Sequence, residues 1–487
     1  MDFTQPVTVD ALPPELLRQI FSDLDGPAPS EIRLHDQPVG DMLRDSQCVL
    51  KNISLVSRRW RVIVMPLLFR HVVWALEHCD QLLAKPSGHG HPADQVAVLA
   101  FLRANDLARH VQSFTVIVCG GMTPVIPPMP ASTAPSPTAS VISYSEDNDW
   151  LWDMLFSVMD PLRLTLITSP QNLARLLGCS IFVGDADFFA TGERLHILSL
   201  ARDDRSLNVP PRPSVSKNAS QTTGNTSRCL PGNQAPAPHA LVTIRPWTRL
   251  LLNENSSICV YRTYHYFHRR PPSILSHMLY GWEDTPGRAF MIPPTVASLS
   301  YVAIFPLVSQ LRQLVQHLPR GVEHLYLQLV PRNNILLDKH EMYHVQPPDL
   351  WLERSDCYEL VMRKLLSRPR SPAPVMPNAD DSDGDDDDGE GHDGGDGEVE
   401  EDGMDSGPSS QAAPTEKGPR LRRFETGDSA DAEVWQSMVR FAHENRTGWI
   451  VESKGTLVKG PLPPDESDGI DMDDVEIMEW LGVGLFA

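Results

Sequence analysis

Two imidazoles one helical turn apart, with a carboxylate beside the first, are the groups in this 487-residue sequence best placed to do chemistry. His340-Glu341-Met342-Tyr343-His344 has the H-E-x-x-H form, in which both His hold zinc and the Glu activates water. That arrangement needs a helix, because only a helix puts residues i and i+4 on one side. Pro347 and Pro348 follow almost at once and end any helix through the motif. The polar run Pro331-Arg332-Asn333-Asn334 precedes it, so the segment reads as a surface turn, and zinc hydrolysis through His340, Glu341 and His344 is a distant reading. Gly88-His89-Gly90-His91 is a His-bearing loop that reads as a linker. The Asp run at 381–388 lacks the glycine order of a calcium loop. No G-x-S-x-G elbow, P-loop or dinucleotide fingerprint is present. Ser382 and Ser406 stand among acids and read as exposed serines open to phosphorylation, and Arg58, Arg59 and Arg61 read as a solvated helix face. The expectation is a protein without a catalytic site, cofactor or metal.

The elements around which the chain is organised stand at the other end. Leu12-Pro13-Pro14-Glu15-Leu16-Leu17-Arg18-Gln19-Ile20-Phe21-Ser22-Asp23-Leu24 has a helical period. Leu16, Leu17, Ile20, Phe21 and Leu24 fall on one stripe, and Glu15, Arg18, Gln19 and Asp23 lie off it. Pro13 and Pro14 sit where a missing N–H costs little, and Gly26-Pro27 stops the helix. A helix this short needs a partner for its apolar stripe, in this chain or another. The pattern resumes with Leu50-Lys51-Asn52-Ile53-Ser54-Leu55-Val56-Ser57-Arg58-Arg59-Trp60-Arg61 and closes on Pro66-Leu67-Leu68-Phe69-Arg70-His71-Val72-Val73-Trp74.

Together these residues resemble an F-box, the module that docks onto the Skp-type adaptor of cullin–RING ubiquitin ligases. The closing segment is similar to the one that follows the F-box in filamentous-fungal proteins. One departure stands out: Asp25 to Gln47 is longer than the usual join between the two halves. The resemblance implies that Leu12, Pro13, Leu16, Leu17, Ile20, Phe21, Leu24, Leu50, Val56 and Trp60 bind the adaptor. It also implies that Leu16→Glu with Leu17→Glu abolishes that binding, by placing two charges in a desolvated seam. The same apolar residues also read as the core of an N-terminal helical subdomain, and both readings can hold at once.

The net charge of −21 is local, since fifteen acids and no Lys or Arg lie in 380–405 and the rest of the chain carries only −6. That balance speaks against nucleic acid or an anionic membrane as a general partner. Seven scattered cysteines without a Cys-x-x-Cys pair read as reduced thiols. No signal peptide or membrane-length apolar run is visible, so a cytoplasmic or nuclear location is expected.

The expected organisation is a mixed helix and strand (α+β or α/β) chain: a helical F-box over 8–74, a body over 75–368, a disordered acidic linker over 369–432, and a tail over 433–487 that folds back. Pro/Ser-rich stretches at 122–147 and 203–240 read as disordered insertions. Within the body, Phe101–His110, Trp150–Met159, Asn172–Leu177 and Leu307–Leu318 read as helices. Val111–Val118, Leu162–Leu166, Arg194–Leu200, Ile258–Phe267, Val296–Phe305 and Leu325–Leu329 read as strands. Helix followed by alternating Leu suggests an irregular leucine-rich-repeat-like body, but the strand starts keep no fixed period, so a non-repetitive α+β domain stays open. In the tail, Glu433–His443 reads as a helix and Trp449-Ile450-Val451 as a strand. Substrate recruitment to a cullin–RING ligase is the expected role, with a scaffold acting outside the ligase as the alternative. The recruited protein is not legible.

Overall fold

The computed structural model describes residues 9–38, 49–85, 92–120, 141–144, 148–190, 194–203, 240–280, 292–367 and 420–460. Most of the expected insertions at 122–147 and 203–240, and the acidic tract, lie outside these.

The alternating Leu and Thr of 162–168 illustrate how the body forms. In a strand, successive side chains take opposite faces, and here the Leu side meets helices. The N-terminal helices are α1 (Pro14–Asp23), α2 (Pro29–Ile32), α3 (Val49–Ile53) and α4 (Arg58–Leu68), and β1 (His71–Leu76) then opens the body. α5 (Cys79–Leu83) and α6 (Ala97–Ala104) lead to β2 (Ser113–Val118), and β3 (Val141–Ser143) and α7 (Asp149–Val158) lead to β4 (Arg163–Thr168). α8 (Pro170–Leu176) and β5 (Ser180–Phe182) precede β6 (His196–Ala201). α9 (Ala240–Thr243) precedes β7 (Arg249–Ser256), α10 (Leu275–Tyr280) precedes β8 (Ser298–Ile304), and α11 (Val308–Gln316) precedes β9 (His324–Gln328). α12 (Pro347–Val361), β10 (Arg423–Thr426), α13 (Ala432–Glu444), β11 (Trp449–Ser453) and β12 (Thr456–Lys459) complete the described elements.

Ten of the strands form one sheet in the order β1-β2-β4-β6-β7-β8-β9-β10-β12-β11, with β3 and β5 paired separately. Apart from the swap at the end, each strand of the sheet lies beside the next in sequence. β1, β2 and β4 are parallel, as are β7 to β10, while β6 runs against both of its neighbours. One face is the main core: Phe114, Val116, Leu164, Leu166, Leu198, Leu200, Leu250, Leu252, Leu299, Tyr301, Leu325 and Leu327 pack with Leu99, Trp152, Leu173, Leu311 and Tyr358 of the helices. No helix among the described residues is long and apolar enough to cross a membrane.

Several expectations need correction. Ile258–Phe267 is not a strand but two 3₁₀ turns, Ile258–Arg262 and Tyr266–His268, and the strand is the segment before it, β7. Two buried asparagines set that boundary: Asn255 holds φ of 65°, and the Asn253 and Asn255 side chains accept from the backbone N–H groups of Asn255 and Ser256 at 3.0 and 2.8 Å. The Phe101–His110 helix stops early, since α6 ends at Ala104 and Asp106 takes φ of 52°. Pro347 and Pro348 start a helix, α12, at the position where proline is tolerated. Parts of the stretches expected to be disordered are regular structure: β3 lies within 122–147 and β10 within 369–432, and the other residues of those stretches lie largely outside the described ones. β10 joins the sheet between β9 and β12, since Phe424 completes the core row and is fully buried.

The return of the chain at β10 is fastened by polar groups. Asp428 accepts from the backbone N–H of Leu329 at 2.8 Å and of Val330 at 3.2 Å, and from the Tyr358 hydroxyl at 2.5 Å. Burial pushes its carboxyl up to about 6, against the lowering effect of those donors. Asp431 caps α13 through the N–H groups of Glu433 and Val434 and pairs with Arg354 of α12 at 2.5 Å. α13 lays Val434, Trp435 and Met438 on the main core.

Candidate functional site

The apolar stripe of α1 is wider than one interface requires, and the fold divides it. Leu17 and Phe21 turn inward, with relative exposures of 0 and 2 %, and build a small core with Leu50, Ile53, Ile63, Val64 and Leu67 of α3 and α4. Leu12 and Trp60 pack on its edge, and the Phe21 and Trp60 rings lie 5.2 Å apart. Leu16, Ile20 and Leu24, four residues apart, form the outer half and stay 47, 42 and 50 % exposed. A seam of this kind gives α1 two partners: its own module on one side and open surface on the other.

Local chemistry holds the helices in place. Pro13 and Pro14 start α1, whose first ladder bond runs from the Leu17 N–H to the Pro13 carbonyl at 3.1 Å. Ser57 caps α4 by accepting from the Trp60 N–H at 3.1 Å. Arg59 donates to the Leu12 carbonyl at 2.5 Å and Arg61 to the Ser54 carbonyl at 3.0 Å, so two members of the cluster read as solvated make joins across the module. Arg70 approaches Asp25 at 3.5 Å. Burial raises the Asp25 carboxyl, while Arg70 and His71 act against that rise.

The ten residues named from the sequence therefore separate. Leu17, Phe21 and Leu50 are core, Leu12 and Trp60 are half-buried, and Pro13, Leu16, Ile20, Leu24 and Val56 are exposed. The Leu16/Leu17 double substitution is thus a poor probe of binding, since a charge at Leu17 would enter the module's own core. The sequence reading missed Val9, Val49, Leu55 and Val62, which expose 54, 47, 69 and 74 % of their surface. The alternation of Leu55 and Val62 with buried Ile53, Ile63 and Val64 would have marked them only with the helix phase already known. Leu16, Ile20 and Leu24 lie along one side of α1, and the other exposed aliphatic side chains sit on the same small module.

The H-E-x-x-H segment shows different geometry. His340 and His344 are exposed on a turn, and His344 takes φ of 58°. Glu341 is drawn away to Arg194, at 2.6 Å, and Arg262 donates to the carbonyls of His340 and Glu341 at 2.8 and 3.1 Å. The helix that zinc ligation by this motif requires is not formed. Among the described residues no group of three His, Cys, Asp or Glu is arranged to hold a metal ion.

Residues 9–73 match the family model described as F-box-like. The chain therefore carries an F-box-like domain at its N-terminal end, and domains of this kind generally bind Skp-type adaptors. No curated protein and no solved structure matches the chain.

Proposed function

We propose that this protein is a non-catalytic substrate-recruiting subunit of a cullin–RING ubiquitin ligase, of the filamentous-fungal F-box type. Its N-terminal module binds the Skp-type adaptor, and the body, leucine-rich-repeat-like in its succession of neighbouring strands, holds a client protein. The observation that carries the reading is the divided stripe of α1, in which Leu16, Ile20 and Leu24 stay exposed within a segment that matches the F-box-like family. The mechanism is proximity: a client lysine held near a charged ubiquitin carrier reacts as if at high concentration, and other subunits do the chemistry. The reading places the protein in the cytoplasm, the nucleus or both, without nucleic acid or membrane as partner.

Affinity purification of the tagged full chain, beside a Leu16→Glu/Ile20→Glu variant, tests it. Wild type should bring down adaptor and cullin, and the variant neither. Adaptor without cullin would favour the second reading, a scaffold that uses the same exposed stripe outside a ligase.

A further inference from the structure

The sheet has a second face, and residues 28–38, within the stretch that lengthens the join in the F-box-like module, lie across it. After α1 the chain makes the single turn of α2 and a further turn, and residues 28–38 run diagonally from β2 to β9. Ser30 meets Ser113, hydroxyl to hydroxyl, at 3.3 Å. Leu34, 2 % exposed, enters a patch of Ile117, Ile167, Ile197 and Leu251. Asn253 donates its amide to the carbonyls of Leu34 and Asp36, at 2.8 Å each. Gln328 donates to the His35 carbonyl at 3.2 Å and Asn255 to the Pro38 carbonyl at 3.4 Å. The His35 ring lies 4.6 Å from that of Tyr326.

Two features show what this face is built for. First, around the Ile117–Ile167–Ile197–Leu251 patch its side chains are polar where the opposite face is apolar: Thr115, Thr165, Ser199, Asn253 and Gln328 alternate along their strands with core leucines, Phe114 and Val116. A layer that is always covered gains most from apolar packing, whereas hydroxyls and amides suit a face that meets water part of the time. Second, the covering segment inserts one large aliphatic side chain, Leu34, while its other one, Ile32, remains 56 % exposed. The rest of its hold comes mainly from main-chain carbonyls, which any protein segment in a turn can offer, with the Ser30 hydroxyl, the His35 ring and the Gln37 side-chain oxygen, which accepts from Asn333 at 2.9 Å, beside them.

We propose that this face is a binding surface for a segment of a partner protein, and that residues 27–38 occupy it in cis. The partner segment presents one leucine-like side chain to the Ile117–Ile167–Ile197–Leu251 patch. Beside it, carbonyls left free by a turn accept from Asn253, Asn255 and Gln328. The proposal deepens the receptor reading, on which it rests only for the fate of the bound client.

The probe is a fluorescently labelled synthetic peptide of residues 26–38, titrated against the full-length protein and read by anisotropy. Leu34→Ser loosens the cis segment, and this variant should bind the peptide at least about tenfold more tightly than wild type, whose face is open only a fraction of the time. Adding Asn253→Leu should return binding to background. A Leu34→Ser chain that keeps its circular dichroism and melting yet binds no better than wild type overturns the proposal. If Leu34→Ser melts the body, Leu34→Ala takes its place; should that too melt the body, the segment is core and the proposal also fails. Adaptor binding measured on the same variants keeps the two claims apart. A folded variant that binds adaptor but not peptide refutes the face alone, while loss of adaptor by the Leu16→Glu/Ile20→Glu chain leaves the peptide result untouched.

Discussion

The outer side of α1 and the strap-bearing face of the sheet are opposites. The first is apolar and bare: Leu16, Ile20 and Leu24 meet solvent beside a well-packed core of Leu17 and Phe21. The second is covered and, outside the aliphatic patch that Leu34 fills, polar: Thr165, Asn253 and Gln328 are 0 to 1 % exposed under or beside residues 28–38. Bare aliphatic surface is costly in water, so it persists where a partner is to supply the burial. A face that is polar outside one small aliphatic patch loses less when its cover lifts than a wholly apolar one would. Exposure alone does not identify a binding surface; the chemistry under a cover matters as much.

The sharpest test of the division within α1 compares neighbours. Leu17→Ala should cost about 2–5 kcal/mol of module stability, as buried Leu truncations do, whereas Leu16→Ala should stay within about 0.5 kcal/mol. Native-state hydrogen exchange at the amides of α1 and α4 reads both. Equal losses would mean that the stripe is not divided.

Next in size is the polar fastening of the body. Asp428→Ala leaves the N–H groups of Leu329 and Val330 without their acceptor and should cost about 1–3 kcal/mol, seen as a lower melting temperature. Gly427 tests the same join from the backbone side, since a Cβ there would overlap the Tyr326 hydroxyl. Gly427→Ala should destabilise the chain in the same assay.

A smaller effect comes from acid. His35 is held down to about 4, first by burial and then by the facing charges of Arg332 and Arg163, with Tyr326 stacked beside it. Its unfolded value of 6.5 is higher, so the undocked segment binds the extra proton. Docking of residues 28–38 should therefore weaken as pH falls from 6.5 towards 4. Asp428, raised to about 6, has the opposite sign: its contribution favours the fold at low pH and is lost as pH rises through 6. Hydrogen exchange at pH 5 and pH 7, corrected for intrinsic rates, should show the segment loosening while the β9–β10 join does not. Parallel changes at both places would count against this separation.

Much of the core was legible in the sequence because it is written in two periods. Alternating leucines gave β4, β6, β8 and β9 within two or three residues, and the stripes of 149–158, 308–316 and 432–444 gave α7, α11 and α13. Where polar residues do structural work the pattern fails. β7 reads RLLLNENS, and its buried Asn253 and Glu254 hide the strand. α12 has a helical stripe of Leu350, Arg354, Cys357, Tyr358 and Val361, but Arg354 is buried only by virtue of Asp431, far along the chain, and of stacking on Trp351. For the candidate site, the sequence located the module and the α1 stripe but not which half faces out, since that depends on how α3 and α4 sit against it. The course of residues 28–38 was unreadable for the same reason, because its partners lie from 80 to nearly 300 residues away.

The most direct measurement is the affinity of the purified full-length chain for a purified Skp-type adaptor, by calorimetry, for wild type and Leu16→Glu/Ile20→Glu. Wild type should form a tight complex. The variant should lose at least about a hundredfold in affinity, as buried hot-spot residues give, with unchanged circular dichroism and melting. A folded variant that binds as tightly as wild type would contradict adaptor binding through the exposed stripe of α1.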